Sequence, residues 1–473
     1  MTDTHDLDRF NLFQQIIEWL NSNQQDHHEG RYYLEKHLPL TESLHDQELE
    51  NLVRRHAAEH LDLAQDLELH LQLLREVHRR GGTRQAIRDA YVNHYGGLAL
   101  DTPDWLNVMR EQIKRLNELN RPERTRKRRI EILREAQQRT MGSTKVRSEI
   151  GAELRNELGD LLITGALYPT QALQTKALEE CIELHKQTLR TYTCTRYPLQ
   201  HARTQTLLGN AYLQYGQHGT LKMFEQAINA FEGALRVYTP ESHLEKWLNV
   251  QTLIGQAFLK RPKGKPAHNI EQAIAYQQAA LSHVTAETNR ELIALVHVHL
   301  GDCYYARLEG IHTENLQLAK DCYRQALHTF TPDDAPEEWA ATHIRLAAIF
   351  QALPYQSEQQ HDRNLHCAIV CYEEALRTYH ADVYMIENAT TQVSLGYTHK
   401  QRLQGDRQRN LQQASRCFRS ALRIFTSSAF PAHYRQTLLS LAESERLRKE
   451  VIQQDQGNNP LENVLPSPPG LRS

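Results

Sequence analysis

The sequence predicts an all-α protein, built mainly as a solenoid of stacked helical hairpins. Three observations carry this. Short sequence motifs recur on a clock of about 46 residues, their apolar positions fall on one face of a helix, and helix breakers are few, with 21 Gly and 16 Pro in 473 residues. The net charge of -3 disfavours a general binder of nucleic acid or other polyanions, and 40% hydrophobic residues suffice for a folded core.

Residues 1–120 lack the repeat. Apolar spacing still predicts helices in Phe10 to Leu20, Leu49 to Leu61, Leu67 to Val77 and Trp105 to Leu119, so this stretch is read as an N-terminal helical region. Residues 121–129 (RPERTRKRR) hold six Lys or Arg and open a basic linker or helix over 121–152, expected to be solvated. The repeat array is placed over 153–450, about six hairpins with the last partial. The Gly-, Asn- and Pro-rich residues 451–473 are read as a disordered tail.

Two motifs define the repeat. The first is an apolar residue followed by Gly or Ala: Leu158-Gly159, Leu208-Gly209, Ile254-Gly255, Leu300-Gly301, Leu346-Ala347, Leu395-Gly396 and Leu441-Ala442, at steps of 50, 46, 46, 46, 49 and 46. An aromatic stands three after the small residue at Tyr212, Phe258, Tyr304 and Phe350. The second motif is Ala227-Phe231-Ala234-Leu235, echoed from Ala319, Ala368 and Ala414, and from Ala273 with Gln277 in the aromatic place. Offsets of 0, 4, 7 and 8 share one helical face, and the small residue admits a neighbouring helix closely. These are helices A and B of each hairpin. Asn269, Asn315, Asn364 and Asn410 each precede a helix B and are expected to cap it; Thr239-Pro240 and Thr331-Pro332 are expected to end one.

The two motifs together resemble the tetratricopeptide repeat. That family's usual period of 34 grows here by six residues in each loop. The longer variant is similar to arrays of bacterial proteins that often precede a caspase-like CHAT peptidase domain. The stretch from Tyr33 to Ala90 is similar to the helical segment before such arrays. The His-Gly and Ser-Ala-Cys-type signatures of the peptidase itself are absent, as are phosphate-loop, dinucleotide, HExxH and GxSxG motifs.

The resemblance implies that helices A line a concave groove that holds a protein or peptide partner. Candidate groove residues are Arg203, Thr206, Asn210, Asn249, Thr252, Gln256, Lys260, Asp302, Tyr305, Tyr397 and Lys400. The chain is thus read as a non-enzymatic interaction module, a scaffold or sensor. The alternatives are a regulatory subunit of a separate peptidase, CHAT-type or other effector, or of a defence system, and, less favoured, a nucleic-acid-binding regulator. No cofactor or metal is expected. Cys367 and Cys371 are four apart on helix B, but Cys322 and Cys417 repeat the same slot, which points to packing rather than ligation. Seven dispersed cysteines, no secretory leader and no long apolar stretch point to a cytoplasmic protein.

Overall fold

The computed structural model describes residues 2–41, 51, 53–56, 61–119, 122–141, 143, 146–163, 171–217, 222–285 and 288–457. They are helical with connecting turns, and no strand occurs among them. The chain divides into two compact units, Met1–Pro262 and Lys263–Ser473.

The first unit opens with α1 (Thr2–Gln25), α2 (His27–Lys36), α3 (Leu61–Arg79) and α4 (Arg84–Tyr95). Ile16, Trp19, Leu34, Leu71, Leu74, Ile87 and Tyr91 form their shared core. Trp19 Nε1 donates to Tyr91 Oη at 2.9 Å, which satisfies the one polar atom the indole carries inward. The predicted helix from Leu49 to Leu61 lies mostly outside the described residues. Then come α5 (Asp104–Asn117) and α6 (Pro122–Met141). The basic run thus sits on a helix, and one member departs from the solvated reading. Arg126 is buried and donates from Nε to the Leu161 carbonyl at 2.8 Å.

The array begins with α7 (Ser148–Ile163) and α8 (Gln171–Thr191), and continues with α9 (Pro198–Gln217), α10 (Met223–Leu235) and α11 (Leu244–Lys260). The second unit holds α12 (Pro266–Ser282), α13 (Arg290–Ala306), α14 (His312–Leu327), α15 (Pro336–Ala352), α16 (Glu358–Thr378), α17 (Met385–Gln401), α18 (Arg407–Leu422) and α19 (Pro431–Gly457). Helix pairs α7/α8, α9/α10, α13/α14, α15/α16 and α17/α18 pack as hairpins. Residues 451–457 extend α19, and the rest of the expected disordered tail lies outside the described residues.

The Gly column works by close approach. A Cβ on Gly301 would lie 2.6 Å from Tyr323 Cε1, and one on Gly396 2.7 Å from Phe418 Cε1. Both rings are the aromatics of the facing helix B, and both are buried. The Cys column is packing too: Cys371 and Cys417 are buried, and burial raises both thiols to about 12.

The caps are a correction. The helices start earlier, with Lys265, Ile311, Ser357 and Asp406 at the N-cap; Asn269, Asn315 and Asn410 are fourth residues inside, and Asn364 lies deeper still. Three of these amides turn backwards. Nδ2 of Asn269 donates to the Lys263 carbonyl at 2.9 Å, that of Asn315 to Glu309 at 2.8 Å, and that of Asn410 to Gln404 at 3.0 Å. Each carbonyl belongs to a tight turn whose next residue, Gly264, Gly310 or Gly405, has φ of 92°, 78° or 81°, a region that only Gly enters freely. The Asn therefore ties the A–B turn to helix B.

Three residues before each of these Gly stands an Arg that clamps the preceding repeat. Arg261 grips Glu225 through two nitrogens; Arg307 grips Glu271 at 2.7 and 3.1 Å, and Arg402 grips Asp362 at 2.8 and 3.1 Å. Arg-x-x-Gly-x-x-x-x-Asn is thus the chemical signature of the turn, and it ties hairpin to hairpin by paired charge-assisted bonds.

Candidate functional site

Within the first unit, α4, α9 and α11 enclose a cleft of about 400 Å³. It is lined by His94 and Tyr95 of α4, Leu199, Gln200, Arg203, Thr206 and Leu207 of α9, Tyr238, and Lys246, Asn249 and Val250 of α11. Volumes of this order hold small ligands or a few side chains of a partner.

The sequence places α4 here through polar contacts. Leu199 N donates to Asn93 Oδ1 at 2.8 Å, and Gln200 Nε2 donates to the Asn93 carbonyl at 3.1 Å, so the start of α9 is bonded to the end of α4. Beside it, the short turn Gly97–Ala99 lies against α7. The Tyr192 hydroxyl accepts from Gly97 N at 2.9 Å and donates toward Glu149 and Glu153. A Cβ on Gly97 would run into the Glu149 backbone, so only Gly allows this contact. His94 is held by Glu76, with Nε2 2.9 Å from Oε2.

Electrostatically the cleft is cationic. Arg203 Nη1 meets Glu153 Oε1 at 2.5 Å, and Lys246 lies 5.6 Å from the centre of the Tyr238 ring. No acidic side chain is among the lining residues. Burial by the cleft walls, and then Arg203, lower the pKa of Lys246. Behind Arg203, burial and then the Glu153 carboxylate raise Glu157 to about 7.

The structure brings Arg203, Thr206 and Asn249 together in this cleft. The other candidate residues of the first unit stand outside its lining. Thr252 is buried and its hydroxyl bonds the Leu248 carbonyl at 2.9 Å; Asn210 and Gln256 are half-buried, and Lys260 is exposed at the end of α11. In the second unit, Asp302 accepts from Tyr323 Oη at 2.8 Å and from Arg345 Nε at 2.9 Å. Tyr397 bonds Ser440 at 2.6 Å and Lys400 bonds Glu443 at 2.8 Å, both linking α17 to α19. Tyr305 is exposed, with 45% of its surface open.

Sequence reasoning missed Lys246, Tyr238, His94 and Tyr95. Tyr238 had a readable signal. It stands four after Ala234, as Phe330, Tyr379 and Phe425 stand four after Ala326, Ala375 and Ala421, and all four are buried. The tyrosines of this column bond helix A: Tyr238 Oη reaches the Leu199 carbonyl at 3.4 Å and Tyr379 Oη that of Glu337 at 3.2 Å.

The second unit has the repeat-equivalent cleft, of about 240 Å³, lined by Leu295, Val298, His299, Phe330, Glu337, Glu338, Ala341, Thr342, Arg345 and Tyr379. Counted from the small residue of each helix A, Arg203 corresponds to Leu295, Lys246 to Glu338 and Asn249 to Ala341. The same slots thus carry cations and an amide in one unit, and an acid and aliphatic groups in the other.

A larger cavity of about 590 Å³ in the first unit is lined by Asp26, His27, His28, Asp101 and Arg110 among others, with Tyr95 shared with the cleft. His27 and His28 open α2, where Asp26 caps His28 N at 2.8 Å and His27 stacks on Tyr95 at 3.8 Å. Among the described residues no group of three or more His, Cys, Asp or Glu is placed to hold a metal, and no helix is long and apolar enough to cross a membrane.

No family model and no curated protein matches the chain. Among solved structures it is similar to a Rap protein complexed with competence and sporulation factor (TM-score 0.43, 13% identity, 84% of this chain and 99% of that one). It is also similar to the apo form of RapI (TM-score 0.39, 13% identity, 94% and 99%) and to BtubC from P. vanneervenii (TM-score 0.32, 12% identity, 63% and 98%).

Proposed function

We propose that the chain is a tetratricopeptide-like interaction module that holds a peptide or a segment of a partner protein against its helices A, with the cleft between α9 and α11 as the principal contact. The supporting observation is the composition of that cleft. Arg203, Lys246 and Asn249 lie at its wall around the apolar Leu199, Leu207, Tyr238 and Val250. Packing does not require these polar groups, because Leu295, Glu338 and Ala341 fill the same slots one unit later. A few placed polar groups on an apolar wall are what a specific binding site presents.

Panning the full chain against a random 12-residue display library tests this. Selected peptides are titrated against wild type and Asn249→Trp, a change at an exposed position that fills the cleft without altering its charge. The affinity is expected to fall at least about tenfold, a loss of roughly 1.4 kcal/mol. Peptides that bind both proteins equally place the site elsewhere.

A further inference from the structure

We infer that the cleft between α9 and α11 is a receptor for an acidic side chain, the Asp or Glu of a bound peptide; this rests on the peptide-binding reading above and names the chemistry of its ligand.

The argument starts with the donors. Arg203 spends Nη1 on Glu153 and, at 3.4 Å, on Gln200 Oε1, which leaves Nε and Nη2 without a described hydrogen bond. Lys246 makes no ion pair among the described residues. Asn249 is exposed beside them. Two cations facing one space repel each other, and a carboxylate placed between them removes that repulsion while accepting hydrogen bonds from both.

The second observation is the repeat itself. Were Lys246 and Arg203 demanded by the hairpin geometry, the equivalent cleft of the second unit would carry cations in the same two slots. Those slots hold Glu338 and Leu295 instead, and the Arg345 that lines that cleft stands elsewhere in the repeat and is paired with Asp302. The cations are therefore specific to this cleft and not to the fold. The Tyr238 ring, Leu207 and Val250 give the methylene groups of an acidic side chain an apolar floor. A short inorganic anion would leave that floor unused, which favours a side chain over phosphate.

The test uses the full chain and the 12-residue library, displayed with its C terminus fused so that no free terminal carboxylate is offered. Selected peptides are then synthesised with free and with amidated C termini. One fixed Asp or Glu is expected across the selected set. Changing it to Gln should weaken binding about tenfold, and more salt should weaken the wild-type complex further. Lys246→Glu should lose the acidic peptide by a similar factor and gain the version bearing Lys at the fixed position. Glu338 already occupies the equivalent slot, so the fold tolerates that change. Three results overturn the inference while leaving peptide binding intact: selected peptides with no fixed acidic position, full affinity after the change to Gln, or unchanged affinity of Lys246→Glu. Peptides that bind only with a free C terminus overturn it as well, since the group recognised is then the terminal carboxylate. A library that yields no binder overturns the groove reading and this inference with it.

Discussion

Replacing Gly301 by Ala sets two effects of known sign against each other. Gly301 lies within α13, where Ala is favoured over Gly by about 1 kcal/mol in helix propensity. Against this, the new methyl would stand 2.6 Å from Tyr323 Cε1, 2.9 Å from Cδ1 and 3.0 Å from Cζ, well inside ordinary contact. The ring has little freedom to retreat. Tyr323 is 2% exposed, and its hydroxyl donates to Asp302 at 2.8 Å, an acid also held by Arg345. Overpacking of this kind costs roughly 1–3 kcal/mol, and a lost hydrogen bond about 1 kcal/mol more. The net expectation is a destabilisation of about 1–3 kcal/mol. Urea denaturation of the full chain measures it, as a lower midpoint at an unchanged slope. In Gly301→Ala with Tyr323→Leu, the loss should be less than the sum of the two single losses. A neutral or stabilised Gly301→Ala would refute the reasoning. The protein contains its own comparison. Where Ala347 occupies the slot, Tyr372 donates to Gln351, four residues past the Ala, at 3.0 Å. Tyr323 instead bonds Asp302, one residue past the Gly. With a methyl in place, the ring reaches one turn further along helix A.

Three further outcomes follow from the same geometry. Asn315→Asp should destabilise by about 1–3 kcal/mol, because a carboxylate cannot donate to the Glu309 carbonyl; if Asn315 were a cap, Asp would serve as well, and an unchanged urea midpoint would show that. A double-mutant cycle on Arg307 and Glu271 should give a coupling of about 0.5–1 kcal/mol that shrinks in high salt, and zero coupling would remove the clamp from the energetics of the array. His185 is fully buried, bonds Asn156 at 3.0 Å, and is held neutral by burial and then Arg203, with its pKa lowered to about 4. Its unfolded form titrates near 6.5, so the unfolded state binds more protons between those values and stability falls as pH drops through the window, by up to about 3 kcal/mol. His185→Gln should flatten the stability profile between pH 6.5 and 4 relative to wild type. Taking that difference cancels the opposing contribution of Glu157, and identical slopes would exclude His185 as the source.

The helical hairpins were legible in the sequence because their packing is enforced locally. The contact of Gly301 with Tyr323 needs a residue without a side chain facing a large ring, and such a pair leaves a visible mark where it recurs, as Gly209 with Phe231 and Gly396 with Phe418. The turns were read less well for a related reason. Asn at a fixed distance before helix B suggests a cap, since capping is the commonest use of Asn near a helix start. Here Asn269, Asn315 and Asn410 sit one turn inside and point back to the carbonyls before Gly264, Gly310 and Gly405. The Gly at fixed spacing before each Asn was the available clue, and so was the Arg three residues earlier.

The candidate site divides along the same line between repetition and singularity. Thr206 and Thr252 both stand three residues before the small residue of their helix A, and both hydroxyls turn back to a carbonyl of their own helix, yet only Thr206 lines the cleft. Periodicity specifies which face of a helix looks inward. It does not specify which inward residues border an opening, because that depends on what covers them. His94 and Tyr95 border this one because α4 is bonded to α9 through Asn93, over a separation of 106 residues that no period spans. Lys246 was hidden for the opposite reason: its column holds Glu338 in the second unit, so it carries no repeated signature. A residue that breaks the repeat without being needed for packing is free to meet a ligand. By that criterion Lys246, more than any member of the repeated columns, is the side chain on which recognition should turn.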